Sequence, residues 1–438
     1  MEFSFIQPTD EDTDVTRRYQ EKLAVYRAKI LEVLGSGTYH EPESSVCLVG
    51  DTHMQEVTHA LAKEKVSPRL KYIVVIGIGG SNLGAKAIYD TLFGHFDILE
   101  PDRYPKMLYL DTNDPEFALR FEILVTRHVA IPEEILIIVI SKSGTTTETA
   151  ANMELVGGML RARFSEALKR MVIISDDGSK LWKFAQDYAI AFLEIPRVVG
   201  GRYSVFSPVG IFPLVCAGID TQALLHGAAD MLVQGMSEDN RRNTPMRSAI
   251  YLAHTISQGK TIHDLFVFHP ELESLGKWYR QLVGESLGKE KDSSGNTVHA
   301  GLTPTVSVGS TDLHSVGQLY LGGPRDKVTT FVYTTQEDTS VLVPKNPLGG
   351  VAFVPGIAGK PFAHIMQAIR QGVTTAYERS RLPFREIILP QQTPYELGMC
   401  MQFMMLETMY LGHLLGVNAF DQPSVESYKE ETRKILAL

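Results

Sequence analysis

ILIIVISKSGTTTET, residues 135–149, joins six apolar β-branched or leucine residues directly to a turn in which six of nine residues carry a hydroxyl group. An apolar run this short and unbroken reads as a strand buried on both faces, and such strands belong to parallel sheets covered by helices. Working outward, the same alternation recurs. Residues 72–78 (YIVVIGI), 107–110, 171–174 and 190–195 are further strand candidates, separated by stretches of helical period. In the second half the candidates are 261–268, 305–308, 327–334 and 385–389, with helical stretches such as 362–381 between them. This predicts an α/β protein of two doubly wound parallel-sheet modules. The expected division is an N-terminal helical segment over 1–70, a first module over 71–205 and a helical connection over 206–260. A second module over 261–390 and C-terminal helices over 391–438 complete it. The long stretch YELGMCMQFMMLETMYLGHLLG, residues 395–416, reads as a Met-rich packing helix.

Composition bounds the function. The chain has 438 residues, 44% hydrophobic and 21% charged, and a net charge of −9. Its field therefore repels nucleic acid and anionic membrane surfaces, so any anionic ligand must be met by local donors. The longest apolar stretch, PVGIFPLVCAGI at 208–219, carries two prolines, and a bilayer needs about 20 residues. The acidic start MEFSFIQPTDEDTD lacks the basic flank and apolar core of an export signal. Three scattered cysteines, Cys47, Cys216 and Cys400, make no disulfide framework or metal knuckle and suit a reducing compartment, the cytoplasm. No HExxH, EF-hand loop or Cys/His cluster occurs, so no metal is expected.

Two loops have the chemistry of anion sites. Residues 76–84, IGIGGSNLG, follow a strand and precede a helical stretch, where free amides and the helix dipole attract phosphate. The dinucleotide pattern fails because its third glycine position is Asn82, and the ATP-loop pattern fails at Ala85. The loop 141–149, SKSGTTTET, has more hydroxyls than capping requires, whereas a phosphoryl group accepts many hydrogen bonds. Loops at neighbouring strand ends can share one ligand. A faint repeat, IGIG at 76–79 against VSVG at 306–309, hints at duplication of the module. Residues 289–299, KEKDSSGNTVH, read as an exposed loop.

Four further stretches are unremarkable singly: VGGRYSVFSPVG (199–210), RQLVGESLGK (280–289), DLHSVGQ (312–318) and FDQPSVESYK (420–429). A lone arginine in a turn is by default a surface residue, and a lone glutamate on a helix is usually solvated. Together and in order, however, the six stretches resemble the glucose-6-phosphate isomerase family of the bacterial type. The resemblance spans most of the chain, and VGGRYSVFSPVG and GVNAFDQPSVESYK are its most specific parts. It implies two flavodoxin-like sugar isomerase domains with a C-terminal helical arm. It also implies reversible conversion of glucose 6-phosphate to fructose 6-phosphate through a cis-enediol, in glycolysis and gluconeogenesis, with no cofactor.

By position, the resemblance assigns phosphate binding to Gly80, Ser81, Ser141, Lys142, Ser143 and Thr146, and pocket lining to Gly201, Gln281 and Gln422. Glu285 would be the base that moves the proton, Arg202 the cation beside the enediolate, and His314 and Lys429 the groups that open the sugar ring. Glu148 would orient His314, which in this family comes from the neighbouring subunit, so a homodimer is implied. Ser424 departs from the family's usual glycine, which touches only turn geometry. The residue types suit the chemistry: removing a proton beside a carbonyl leaves charge on oxygen, which a permanently charged guanidinium offsets without taking the proton. Imidazole gives and takes protons near neutrality. Two other readings remain open on the residues: a nicotinamide-dependent dehydrogenase using Gly77, Gly79 and Asp111, and a sugar-phosphate sensor that binds without turnover.

Overall fold

Twelve strands form two parallel-type sheets and one hairpin in the computed structural model, which describes residues 1–5, 14–346, 348–351 and 353–437. The strands are β1 (Glu2–Phe5), β2 (Tyr72–Ile76), β3 (Lys106–Leu110), β4 (Ile135–Ile140), β5 (Met171–Ser175), β6 (Ala191–Glu194), β7 (Ile262–Val267), β8 (Lys289–Lys291), β9 (Thr297–Ala300), β10 (Thr303–Val308), β11 (Lys327–Thr334) and β12 (Phe384–Leu389). The first sheet runs β3-β2-β4-β5-β6, all parallel. Every residue of β2, β4 and β5 is buried, as strands with helices on both faces must be. The second sheet runs β1-β12-β11-β7-β10 and is parallel except at β1. Among the parallel strands, both sheets place the second strand of their series outside the first and the third on its other side, the flavodoxin-like order. The α/β reading holds, and each of the expected strands begins and ends within two residues of one found.

Three expectations are corrected. The 1–70 segment is helical over Asp14–Ser36 and Thr52–Lys65, but it begins with β1, which pairs antiparallel with β12. That pairing joins residues 2–5 to residues 385–388 and is invisible to local pattern. The segment read as a loop at 289–299 contains the hairpin β8-β9, whose turn is tied by Asp292 accepting from the amides of Ser294 and Asn296. The IGIG and VSVG repeats do not correspond: the first ends β2, the opening strand of its sheet, and the second ends β10, the second of its own. The duplication lies in strand order instead. The acidic run of the N-terminus falls largely in residues 6–13, outside the described residues.

The connection contains helices Pro208–Cys216, Thr221–Gly235 and Thr244–Ser257. The Met-rich helix, Pro394–Leu415, packs against the last two of these and helix Glu273–Leu287, with Met401, Met404, Met405 and Met409 fully buried. Its methionines are core, as read. All three cysteines are free and buried. Among the described residues no helix is long and apolar enough to cross a membrane.

Candidate active site

The two anion loops emerge beside each other where the first sheet's order reverses, at the carboxyl ends of β2 and β4, the crevice in which such sheets bind ligands. Gly77 is wedged between them: a Cβ there would lie 2.8 Å from Ser81 Cβ and 2.9 Å from the Ile140 carbonyl oxygen. The helices that follow, Leu83–Phe93 and Thr147–Arg163, both start without a side-chain cap. Asn82 and Thr146 hold the capping positions but turn elsewhere. Asn82 Nδ2 donates to Asp111 at 2.9 Å, and the Thr146 hydroxyl pairs with that of Ser141 at 3.1 Å. Two other helices of the same module, Pro115–His128 and Lys180–Asp187, are capped by Asp114 and Ser179. The first-turn amides at the crevice are thus left to an anion. Ser143 pairs with Thr145 at 3.0 Å. Burial lowers the pKa of the Lys142 ammonium; Asp176 opposes that shift, while Arg197 and Arg202 add to it.

The other wall joins the turn at Gly201 and Arg202 to residues from the second half of the chain. Gly80 lies against the backbone of Gly201 so closely that a Cβ on it would sit 2.1 Å from the Gly201 carbonyl carbon. That contact delivers Arg202, which is buried (3% exposed) rather than on the surface. Its Nε donates to Ser286 Oγ at 2.8 Å, and Nη2 donates to the Ala419 and Asp421 carbonyls at 2.7 and 3.0 Å. Nη1 donates to Gln422 Oε1 at 3.1 Å and meets Glu285 Oε2 at 3.5 Å. Glu285 and Gln281 share one face of the helix Glu273–Leu287, where Gln281 Nε2 donates to Glu285 Oε1 at 3.2 Å. The Glu285 side chain is 32% exposed and therefore reachable by a ligand. Three buried polar atoms on the elements of the crevice lack a hydrogen-bond partner among the described residues: Gln281 Oε1, Asn82 Oδ1 and Thr149 Oγ1. Such atoms are costly unless a ligand or water meets them.

Sequence reading missed the scaffold of this wall. Ser286, the 419–421 carbonyls and Lys289 hold the assembly. Lys289 is buried and donates to the carbonyls of Glu285 and Asp421, both at 2.6 Å. Its burial, with Arg202 nearby, lowers its pKa, while Asp421 and Glu285 oppose this. Asp111, the acid of the dehydrogenase reading, is engaged by Asn82 rather than presented to a ribose.

Among the described residues, no hydrogen bond or ion pair joins the remaining named residues to this cluster. Lys429 lies on the helix Pro423–Leu436 and pairs with Glu426 at 2.9 Å. His314 follows β10, its ring exposed, and among the described residues only its backbone makes a hydrogen bond, to Thr311 at 3.1 Å. Glu148 is half-buried on the first turn of its helix, and its carbonyl accepts from Asn113. A cavity of about 770 Å³ is lined by Tyr26, Glu43, Lys289 and His413, and Glu285 is not among its walls.

The model of the phosphoglucose isomerase family matches residues 50–437. A glucose-6-phosphate isomerase of Thermus thermophilus is 34% identical over 375 residues, 85% of this chain and 86% of that protein. One from Clostridium novyi is 33% identical over 381 residues, 85% of this chain and 81% of that protein. Among solved structures, a hypothetical protein of Thermus thermophilus superposes with a TM-score of 0.86 at 29% identity, covering 100% of both chains. A glucose-6-phosphate isomerase of Chlamydia trachomatis shares the fold, with a TM-score of 0.73 at 21% identity over 91% of this chain and 75% of that one.

Proposed function

The chain belongs to the phosphoglucose isomerase family, and from that premise we propose that it interconverts glucose 6-phosphate and fructose 6-phosphate by moving one proton between C2 and C1. The observation that carries this reading is the juxtaposition of Glu285 and Arg202 at 3.5 Å, across a crevice from two uncapped helix starts. The phosphate is held by Ser81, Ser141, Lys142, Ser143, Thr146 and the amides from Gly80 onward. Glu285 takes the proton from C2 and returns it to C1. The negative charge that develops on oxygen lies beside Arg202, and one aimed donor there is worth about 2.7–4 kcal/mol. Gln281, Gln422 and Gly201 line the sugar.

Ring opening falls to His314 and Lys429. His314 acts in the crevice of a second copy, oriented by that copy's Glu148, so the working unit is a homodimer. Two features support this. The His314 ring is exposed, with no hydrogen bond or ion pair among the described residues, and between β11 and helix Phe362–Arg379 the large apolar side chains of Leu348 and Phe353 are 90% and 84% exposed. Lys429 reaches the sugar by leaving Glu426. The reaction is placed in the cytoplasm, in glycolysis and gluconeogenesis.

The test is turnover of fructose 6-phosphate by the native protein and by Glu285→Gln. The variant is expected to lose about 10²-fold or more in kcat with KM near native. Tight binding without turnover in the native protein would make it a sensor and overturn the reading.

A further inference from the structure

β5 ends at the anion loop with an acid. Asp176 follows Ser175, whose hydroxyl donates to the Ser141 carbonyl at 2.7 Å, and the Asp176 amide donates to the Lys142 carbonyl at 3.2 Å. The backbone at the end of β5 is thereby tied to residues 141–142. Asp176 Oδ1 is buried, and among the described residues it has no hydrogen-bond partner. The charged groups facing it come from three elements: Lys142 from the loop after β4, Arg197 from the segment after β6, and Glu194 from β6 itself. Arg202 faces Lys142 in turn. A carboxylate whose only task was to hold Lys142 would bond it, and no such bond forms among the described residues. An ionised acid there works against a dianion on the same loop.

We propose that Asp176 sets the pH dependence of phosphate affinity: ionised in the empty crevice, it takes up one proton from solvent when a dianionic phosphoryl group settles on the 141–146 loop. This rests on reading that loop as the phosphate site. Burial already raises the Asp176 carboxyl to about 6 in the empty site, with Glu194 adding to the rise and Lys142 and Arg197 opposing it. A bound dianion raises it further, because a like charge disfavours the ionised form. Below the empty-site value the acid is neutral in both states and dianion affinity is greatest. Above it, binding must draw a proton, and affinity falls by up to about tenfold per pH unit until the bound-state value is passed.

Inorganic sulfate is the probe, since it stays dianionic throughout the range. Its inhibition constant against fructose 6-phosphate turnover is expected to weaken about threefold or more between about pH 6 and 7.5 in the native protein. In Asp176→Asn it should stay near the low-pH value. The same pH slope in both proteins overturns the proposal and leaves the phosphate site standing. If sulfate fails to compete at any pH, and Ser143→Ala and Thr146→Ala leave KM unchanged, the phosphate site itself is wrong. Calorimetry of sulfate binding to the native protein in two buffers of different ionisation enthalpy guards against a misfolded variant: fractional proton uptake near pH 7 is expected, and none overturns the proposal.

Discussion

Arg202 is the residue on which chemistry and architecture meet. Its guanidinium faces Glu285 and also holds Ser286, Gln422 and two carbonyls of the 419–421 strap. A lysine keeps the charge but cannot reproduce that fork. Arg202→Lys is expected to lower kcat about 10²–10³-fold and to lower the melting temperature, because the buried Ala419 carbonyl loses its donor at about 1–3 kcal/mol, while the Asp421 carbonyl keeps Lys289. Steady-state kinetics and a thermal melt check both, and a variant with native kcat would remove Arg202 from the reaction. From residue type and spacing alone, Arg202 reads as a surface turn. The groups that bury it lie 84, 217 and 219 positions away, beyond any local window. The resemblance supplied what spacing could not, whereas the hydroxyls of residues 141–149 were legible because their signal is local.

Helix Glu273–Leu287 is held at its rear by a buried network. Tyr279 donates to Glu407 Oε2 at 2.6 Å, Glu407 pairs with Arg385 of β12, and Arg385 donates to Thr330 of β11 at 2.7 Å. Removing one partner strands a charge in the interior, so Glu407→Ala should cost about 3–5 kcal/mol in urea unfolding, while Arg385→Met with Glu407→Leu should cost far less. Equal losses in the single and double variants would mean that packing, not charge pairing, sets the cost. Nothing at residues 395–416 beyond methionine content points to Glu407, since an acid inside an apolar helix shows its partner only in three dimensions. Gly80→Ala belongs to the same scale. Its methyl would overlap the Gly201 backbone, prising the loop after β2 from the turn that carries Arg202. Turnover should fall more than about tenfold with the protein still folded, measured as kcat/KM beside circular dichroism; native turnover would show that the two backbones yield.

At the scale of the molecule, the proposed mechanism requires a second copy to complete the crevice. Glu285→Gln and His314→Ala should each be nearly inactive. Unfolded together and refolded, they should recover about a quarter of native activity, because half the dimers are mixed and half the sites in those are intact. No recovery beyond the separate variants would place His314 in its own chain's site. The two sheets were legible as runs of apolar residues, and their shared strand order follows from parallel strands joined through helices. The strand that finishes the second sheet was not, because β1 meets β12 across almost the entire chain. That closure has a consequence for synthesis on the ribosome. All five strands of the first sheet have been made by residue 194, so this half can fold while the rest is translated. Residues 2–5, made before that sheet, must in contrast wait for Phe384–Leu389 before they find their partner. Until then β12's place is empty, and the growing chain carries Glu2–Phe5 unpaired while more than 370 residues are added.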